Sequence, residues 1–399
     1  MMKRILPIPF ILALLIWAGG CKPELPFNNI PPNTNPHYYN RPEYARLDSA
    51  IRNRLKENNT WGVHIPGLSV AVVRDGKLDF LEGYGLLQMS DTNRKVNSES
   101  KFMLGELTQP IIATAIMQLH EKGQINADAD INWVLPAEMQ VKNPFFPTFP
   151  ITPRMLISHT STLLDEQPFM QSLYTVGDSP DRLKDFLFDY FQTNPAGHYV
   201  NDKPGKYYQV QKINLALAAY IIEAATQMSI NEYAKVHIYS KLGSFHGSFY
   251  MAELDAKQVA TPHTNNFLPL NPLVELDQYG YSYYPAGTLR TSAEHLSRFL
   301  IAASGNGKYG QQTLLNDSTV RNMRKVAYPL ASNIEATGWR YRLFNGRTLL
   351  GLNGSDQGVS NRMYYDTLSR TGVILLTNGD GYDAQLDTIM ERAFRAAGI

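Results

Sequence analysis

The stretch "FMLGELTQPIIATAIMQLHEKG", Phe102 to Gly123, decides the fold. From Pro110 onward it is apolar on most sides, and a helix of that kind belongs in the middle of a domain, covered by other elements. Pro110 suits a first helical turn, where its missing N–H is no loss, and Gly123 suits a C-terminal cap. A carboxylate, Glu106, stands at the helix start, where free N–H groups and the helix dipole favour negative charge.

Working outward, "LSVAVVRDGKLDFLEGYG" contains two β-rich runs around Asp75-Gly76, a dipeptide that supplies the positive φ angles of a tight hairpin. Before it, "PEYARLDSAIRNRLKEN" carries Tyr44, Leu47, Ile51 and Leu55 at helical spacing. Beyond the central helix, "DRLKDFLFDYFQ", "INLALAAYIIEAA", "INEYAKVHIYSKLG" and "SAEHLSRFLIAAS" read as helices, and residues 252–284 as a long loop. The runs "TGWRYRLF", "TLLGL", "SNRMYYD" and "GVILLTN" are β-type, and "YDAQLDTIMERAFRAAG" predicts a final helix. This order predicts an α+β domain over residues 43–399. Its antiparallel sheet is built from both chain ends, about 43–105 and 285–399, with flanking helices and an inserted, mostly helical region, about 106–284.

The chain of 399 residues is 44% hydrophobic and 18% charged, with net charge +1. That composition supports a sizeable core and gives no electrostatic reason to expect nucleic acid as a partner. The 23 tyrosines read as filler at half-buried positions. Residues 1–21 combine a basic start with an apolar, Pro-interrupted run that ends in "AGGC", so they read as a signal segment with a bacterial lipobox. Cys21 is the only cysteine, which favours lipid attachment over a disulfide. Residues 22–42, rich in Pro and Asn, read as a tether. The expected partners are a membrane, through the lipid, and a cell-envelope ligand or protein; the expected location is the bacterial cell envelope.

The chain also resembles the serine β-lactamase and penicillin-binding-protein family, in its class C β-lactamase, esterase and D-alanyl-D-alanine peptidase-like branch. Five segments carry the resemblance, in the family's order: "IPGLSVAVVRDGKLDFLEGYG", "IMQLHEKGQINADADINWVLP", "ITPRMLISHTSTL", "PAGTLRTSAEHLSRFL" and "LLNDSTVRNM". The family implies a β-lactamase/transpeptidase-like fold and three chemical clusters. In a Ser-x-x-Lys pair the lysine helps deprotonate the serine. A Tyr-x-Asn loop adds a second proton-transfer group. A Lys- or His-x-Gly strand helps build the oxyanion hole.

Each cluster can be placed by its flanks. The family's serine and lysine fall on Glu106 and Gln109 in "FMLGELTQ". Its tyrosine and asparagine fall on Val210 and Lys212 in "PGKYYQVQKINLALAAYIIE". In "GLNGSDQGVS" its histidine falls on Leu352, followed by Gly354, Ser355 and Asp356, and Gly358 is kept. Nucleophile, lysine, tyrosine and histidine are all replaced within preserved surroundings. Three literal strings, Ser98 with Lys101, Tyr199 with Asn201, and Arg370–Gly372, lie off the family positions and read as coincidences. His159, in "SHTS", reads as a structural hydrogen-bonding residue. The nine histidines show no metal-ligand spacing, and neither a metal nor another cofactor is expected.

Glu106 keeps several readings. It caps the helix, or pairs with Lys212 across the old site, or serves as a base for water alone or with Asp356. These readings point first to a member without acyl-transfer chemistry that binds a ligand or partner. A hydrolase with altered machinery centred on Glu106, or a purely structural scaffold, stays as the alternative.

Overall fold

A computed structural model describes residues 37–39, 41–57, 65–193, 196–243, 247–265 and 273–399. Cys21 and the lipobox lie outside the described residues. Seven strands form the main antiparallel sheet: β1 (His37–Tyr39), β2 (Gly67–Arg74), β3 (Lys77–Gly85), β4 (Arg340–Phe344), β5 (Arg347–Asp356), β6 (Val359–Asp366) and β7 (Gly372–Thr377). Their spatial order is β1-β3-β2-β7-β6-β5-β4, so strands from both chain ends meet where β2 pairs with β7. The β2–β3 turn has φ of 50° at Asp75 and 72° at Gly76, the left-handed pair that a two-residue hairpin demands.

Alternation along the strands sorts their side chains into two cores. Leu68, Val70, Val72, Leu349, Tyr364, Val373 and Leu375 face one side, with α1 (Pro42–Glu57) and the last helix. Ala71, Val73, Leu350, Leu352, Met363, Ile374 and Leu376 face the other. That second core holds α2 (Gln109–Glu121), α3 (Leu183–Thr193), α4 (Lys212–Thr226) and α5 (Ala293–Ser304). The C-terminal helix α6 (Asp383–Ala396) shares the first core, with Leu386, Ile389, Met390 and Phe394 inside it. With both faces covered, the strands are apolar almost throughout, which is why they read as runs rather than strict alternation.

Helix α2 is buried from Gln109 through Leu119, with Pro110 in its first turn and Gly123 (φ 68°) just past its end. Three departures from the sequence reading stand out. The end of the stretch read as tether, His37–Tyr39, adds an edge strand against β3. The segment 252–284 contains short paired strands at His263–Asn265, Leu273–Glu275 and Tyr279–Gly280 rather than only loop. The helix expected over "INEYAKVHIYSKLG" begins at Ile230 with a Ser229–Glu232 capping box, widens to a π turn at Lys235–Tyr239 and ends in a 3₁₀ turn. Buried Gln118 donates to the His237 carbonyl at 3.2 Å, within that widened turn.

Candidate functional site

The chain enters α2 through a 3₁₀ turn, Gly105–Thr108, pressed against the end of β5. Two glycines make that approach possible. A Cβ on Gly354 would lie 2.1 Å from the Leu104 carbonyl oxygen, and one on Gly105, at φ 57°, 2.7 Å from the Ser355 backbone. Buried Asn361 on β6 fixes the same entry, donating to the carbonyls of Met103 (2.9 Å) and Leu104 (3.1 Å) and accepting from Thr377 N–H. On the other side, Gly105 N–H donates to Gly287 O at 3.1 Å.

This clamp places the Glu106 carboxylate on the tip of β5. Its Oε2 accepts the Ser355 backbone N–H at 2.6 Å and lies 3.3 Å from Ser355 Oγ. Burial pushes the Glu106 pKa above its ordinary 4.5, while the charge of Lys212, the Ser355 amide and Glu106's own N–H pull it back.

Gln109, one turn on, is 1% exposed and joins a neutral network. Its Nε2 donates to Ile157 O at 3.0 Å, and its Oε1 lies 3.0 Å from His159 Nε2. His159 Nδ1 accepts the Gln211 N–H at 3.3 Å, so the ring proton sits on Nε2 and is donated to Gln109. Asn214 Nδ2 reaches the same Nδ1 at 3.3 Å, and its Oδ1 accepts from Ser161 Oγ. Burial, with the nearby Arg340 charge, pushes the His159 pKa down to about 3, so the imidazole is neutral.

Lys212 opens α4 and does not pair with Glu106. Its Nζ lies 3.1 Å from Asp356 Oδ2. The Asp356 side chain, 1% exposed, also accepts from Tyr281 OH (2.9 Å), Tyr174 OH (2.7 Å) and Gln357 N–H (2.9 Å). Buried beside this carboxylate, Tyr174 and Tyr281 have pKa values pushed far up and stay protonated donors. Asp165 caps α4, accepting the N–H of Lys212 (2.7 Å) and Ile213 (2.8 Å).

The structure therefore joins Glu106 to Ser355, Gln109 to His159, and Lys212 to Asp356. The Glu106–Lys212 pair, one of the readings the sequence left open, is replaced because each charge has a nearer partner: a backbone amide for one, a buried carboxylate with two phenolic donors for the other. Asp356, ion-paired and hydrogen-bonded on both oxygens, is not a free base beside Glu106. Val210 is 38% exposed and Leu352 is 2% exposed within the apolar core, so neither carries a polar group into the site. Of the coincidental strings, Lys101 is buried against Gln258 Oε1 at 2.6 Å, and Arg370 (φ 57°) lies in the β6–β7 turn. Sequence reasoning missed Tyr174, Asp165 and Asn214. The signal that could have found Tyr281 is the "YGYSYY" run, residues 279–284; Tyr174 lies outside it. Among the described residues no group of three or more His, Cys, Asp or Glu is placed to hold a metal ion.

Comparison with known proteins places these features in context. A family profile described as "Beta-lactamase" matches residues 47–396. "Protein flp" of Staphylococcus aureus (strain N315) is 24% identical over 334 residues, 84% of this chain and 62% of its own length. The chain thus spans less than two thirds of that curated relative. "Penicillin-binding protein 4" of Amycolatopsis lactamdurans is 26% identical over 329 residues, 79% of this chain and 81% of its own. Among solved structures, the octameric penicillin-binding protein homologue from Pyrococcus abyssi superposes with a TM-score of 0.74 at 21% identity, covering 89% of this chain and 77% of the other. The D-amino acid amidase from Ochrobactrum anthropi SV3 gives 0.70 at 19% identity, covering 88% and 98%. At these identities the structural likenesses carry the fold and not the activity.

Proposed function

We propose, for a chain that belongs to the beta-lactamase family, that it is a member without acyl-transfer chemistry, which binds a ligand or partner at the bacterial envelope. One observation carries this reading: the Glu106 carboxylate, at the family's serine position, accepts the Ser355 amide at 2.6 Å. Acyl transfer needs a nucleophilic oxygen, a base to deprotonate it, and N–H donors free to receive the developing oxyanion. Here a carboxylate takes the place of the hydroxyl and occupies a donor on the strand that the family uses for its oxyanion hole. Attack by Glu106 itself would give an anhydride, and the neighbouring base position holds a neutral glutamine bound to His159.

Incubation with a labelled penicillin and with an activated ester tests the reading. The expected result is no label surviving denaturation and no burst of released product. A stoichiometric burst abolished by Glu106→Gln would overturn it in favour of altered catalysis.

The envelope location rests on the lipobox ending at Cys21. Expression in a bacterial host, with fractionation, checks it: the wild type is expected in the membrane fraction and Cys21→Ser outside it. Identical fractionation of the two would remove the lipid anchor from the proposal.

A further inference from the structure

The ligand class for this site is narrowed by how Lys212 is held. Lys212 is the first residue of α4, an end where the helix dipole disfavours a cation. Its ammonium nonetheless lies 5.4, 5.9 and 6.0 Å from the ring centres of Tyr281, Tyr283 and Tyr174, and against Asp356. Tyr281 and Tyr283 are 0% and 1% exposed. Tertiary packing, not the helix, has made this place: an aromatic cage closed by a buried carboxylate, the arrangement that recognises ammonium groups. Lys212 itself is 23% exposed, so the place it fills is reached by solvent.

The charge balance points the same way. Lys212 interacts with three carboxylates, Asp356 directly and Glu106 and Asp165 through its field. Burial raises the pKa of both Glu106 and Asp165, and the charge of Lys212 pulls both back. Arg340 adds no surplus, since it is paired with buried Glu335.

We propose that this cage is an ammonium site whose built-in occupant is Lys212, and that its ligand presents a primary amine on an unbranched chain, which displaces Lys212 from Asp356. The exchange keeps one cation against Asp356 throughout. A neutral or anionic group would leave a buried carboxylate uncompensated. The inference rests on the ligand-binding part of the function proposed above and not on the absence of acylation.

The test uses the full chain, with n-butylammonium as probe and 1-butanol as its neutral counterpart, followed by calorimetry. Lys212→Met is expected to bind butylammonium at least about tenfold more tightly than the wild type, because the internal competitor is gone. Butanol is expected not to bind, and Asp356→Asn to abolish amine binding. In the wild type, which needs no folded variant, butylammonium should shift the ¹⁵Nζ resonance of Lys212 and butanol should not. An unmoved Lys212 resonance, equal binding of butanol, or amine binding that survives Asp356→Asn overturns the proposal. Covalent penicillin labelling with amine binding intact would sink the non-catalytic reading alone. Failed amine binding without labelling would sink the cage alone.

Discussion

Glu106 brings a charge to a place where burial outweighs the amide and the lysine that favour it, and its titration should report that. Its folded-state pKa is raised, so ionisation is less favourable in the folded chain than in the unfolded one. The contribution to stability is fullest below the ordinary value of 4.5 and is lost as pH rises through the folded value. Glu106→Gln keeps an acceptor for the Ser355 amide without the charge. The stability of the wild type relative to Glu106→Gln, from urea midpoints between about pH 4 and 8, is therefore expected to fall with rising pH and then level off. A difference that rises with pH would contradict the burial argument. Gln109 permits a second prediction. A lysine there would set an ammonium against the Nε2–H of His159, donor facing donor, and Gln109→Lys is expected to cost about 2–4 kcal/mol in chemical denaturation. It should also fail to restore acylation when combined with Glu106→Ser. These partners were hidden in the sequence for a plain reason. Glu106 and Ser355 are 249 positions apart, and Lys212 and Asp356 are 144 apart. The flanks say which slot each residue occupies, but only packing decides which neighbour it meets.

At the scale of elements, the contact between the turn Gly105–Thr108 and β5 is the one that shapes the site. Gly354→Ala would drive a methyl group into the Leu104 carbonyl, 2.1 Å away, and is expected to destabilise by about 2–3 kcal/mol. Ser355→Ala, on the next residue with an exposed side chain, should change stability by no more than about 0.5 kcal/mol. Similar denaturation midpoints for the two variants would show that the turn can retreat from the strand. Elements fixed by local chemistry were legible: the Asp75-Gly76 hairpin from its turn residues, and α2 from Pro110, Gly123 and its apolar faces. The π turn at Lys235–Tyr239 was not, because its backbone depends on what α2 presents to it, including Gln118. The strand at His37–Tyr39 was missed for a similar reason. Two β-favouring tyrosines in a run of three are too short a signal among the Pro and Asn around them, and the open edge of β3 supplies the partner.

For the whole molecule, the central β2–β7 pairing joins the two ends of the chain, so the two locally paired halves of the sheet, β1–β3 and β4–β7, become one sheet only when the chain ends meet across the helical middle. Helices α1 and α6 together cover one face. Removal of residues 383–399 would uncover Leu68, Val70, Val72, Val373 and Leu375 at once. The truncated chain is expected to lose its cooperative thermal transition altogether, by circular dichroism, rather than to fray at one end. A shortened chain that melts like the full one would show that the sheet stands without α6. The overall architecture was readable because five segments kept the family's order and the binary pattern agreed with it. The site was readable only as a set of replaced positions.

The Glu106–Ser355 contact has a historical consequence. A serine put back at 106 would find no lysine at 109, no tyrosine at 210 and an apolar leucine at 352. A lysine put back at 109 would meet a histidine that already donates toward it. Glu106, Gln109, Lys212 and Leu352 have acquired contacts of their own, so no single reversion at these positions improves on the present state. If the proposed reading holds, these replacements work as a ratchet: selection can refine what this site now holds, but stepwise mutation has no downhill road back to an acyl-enzyme.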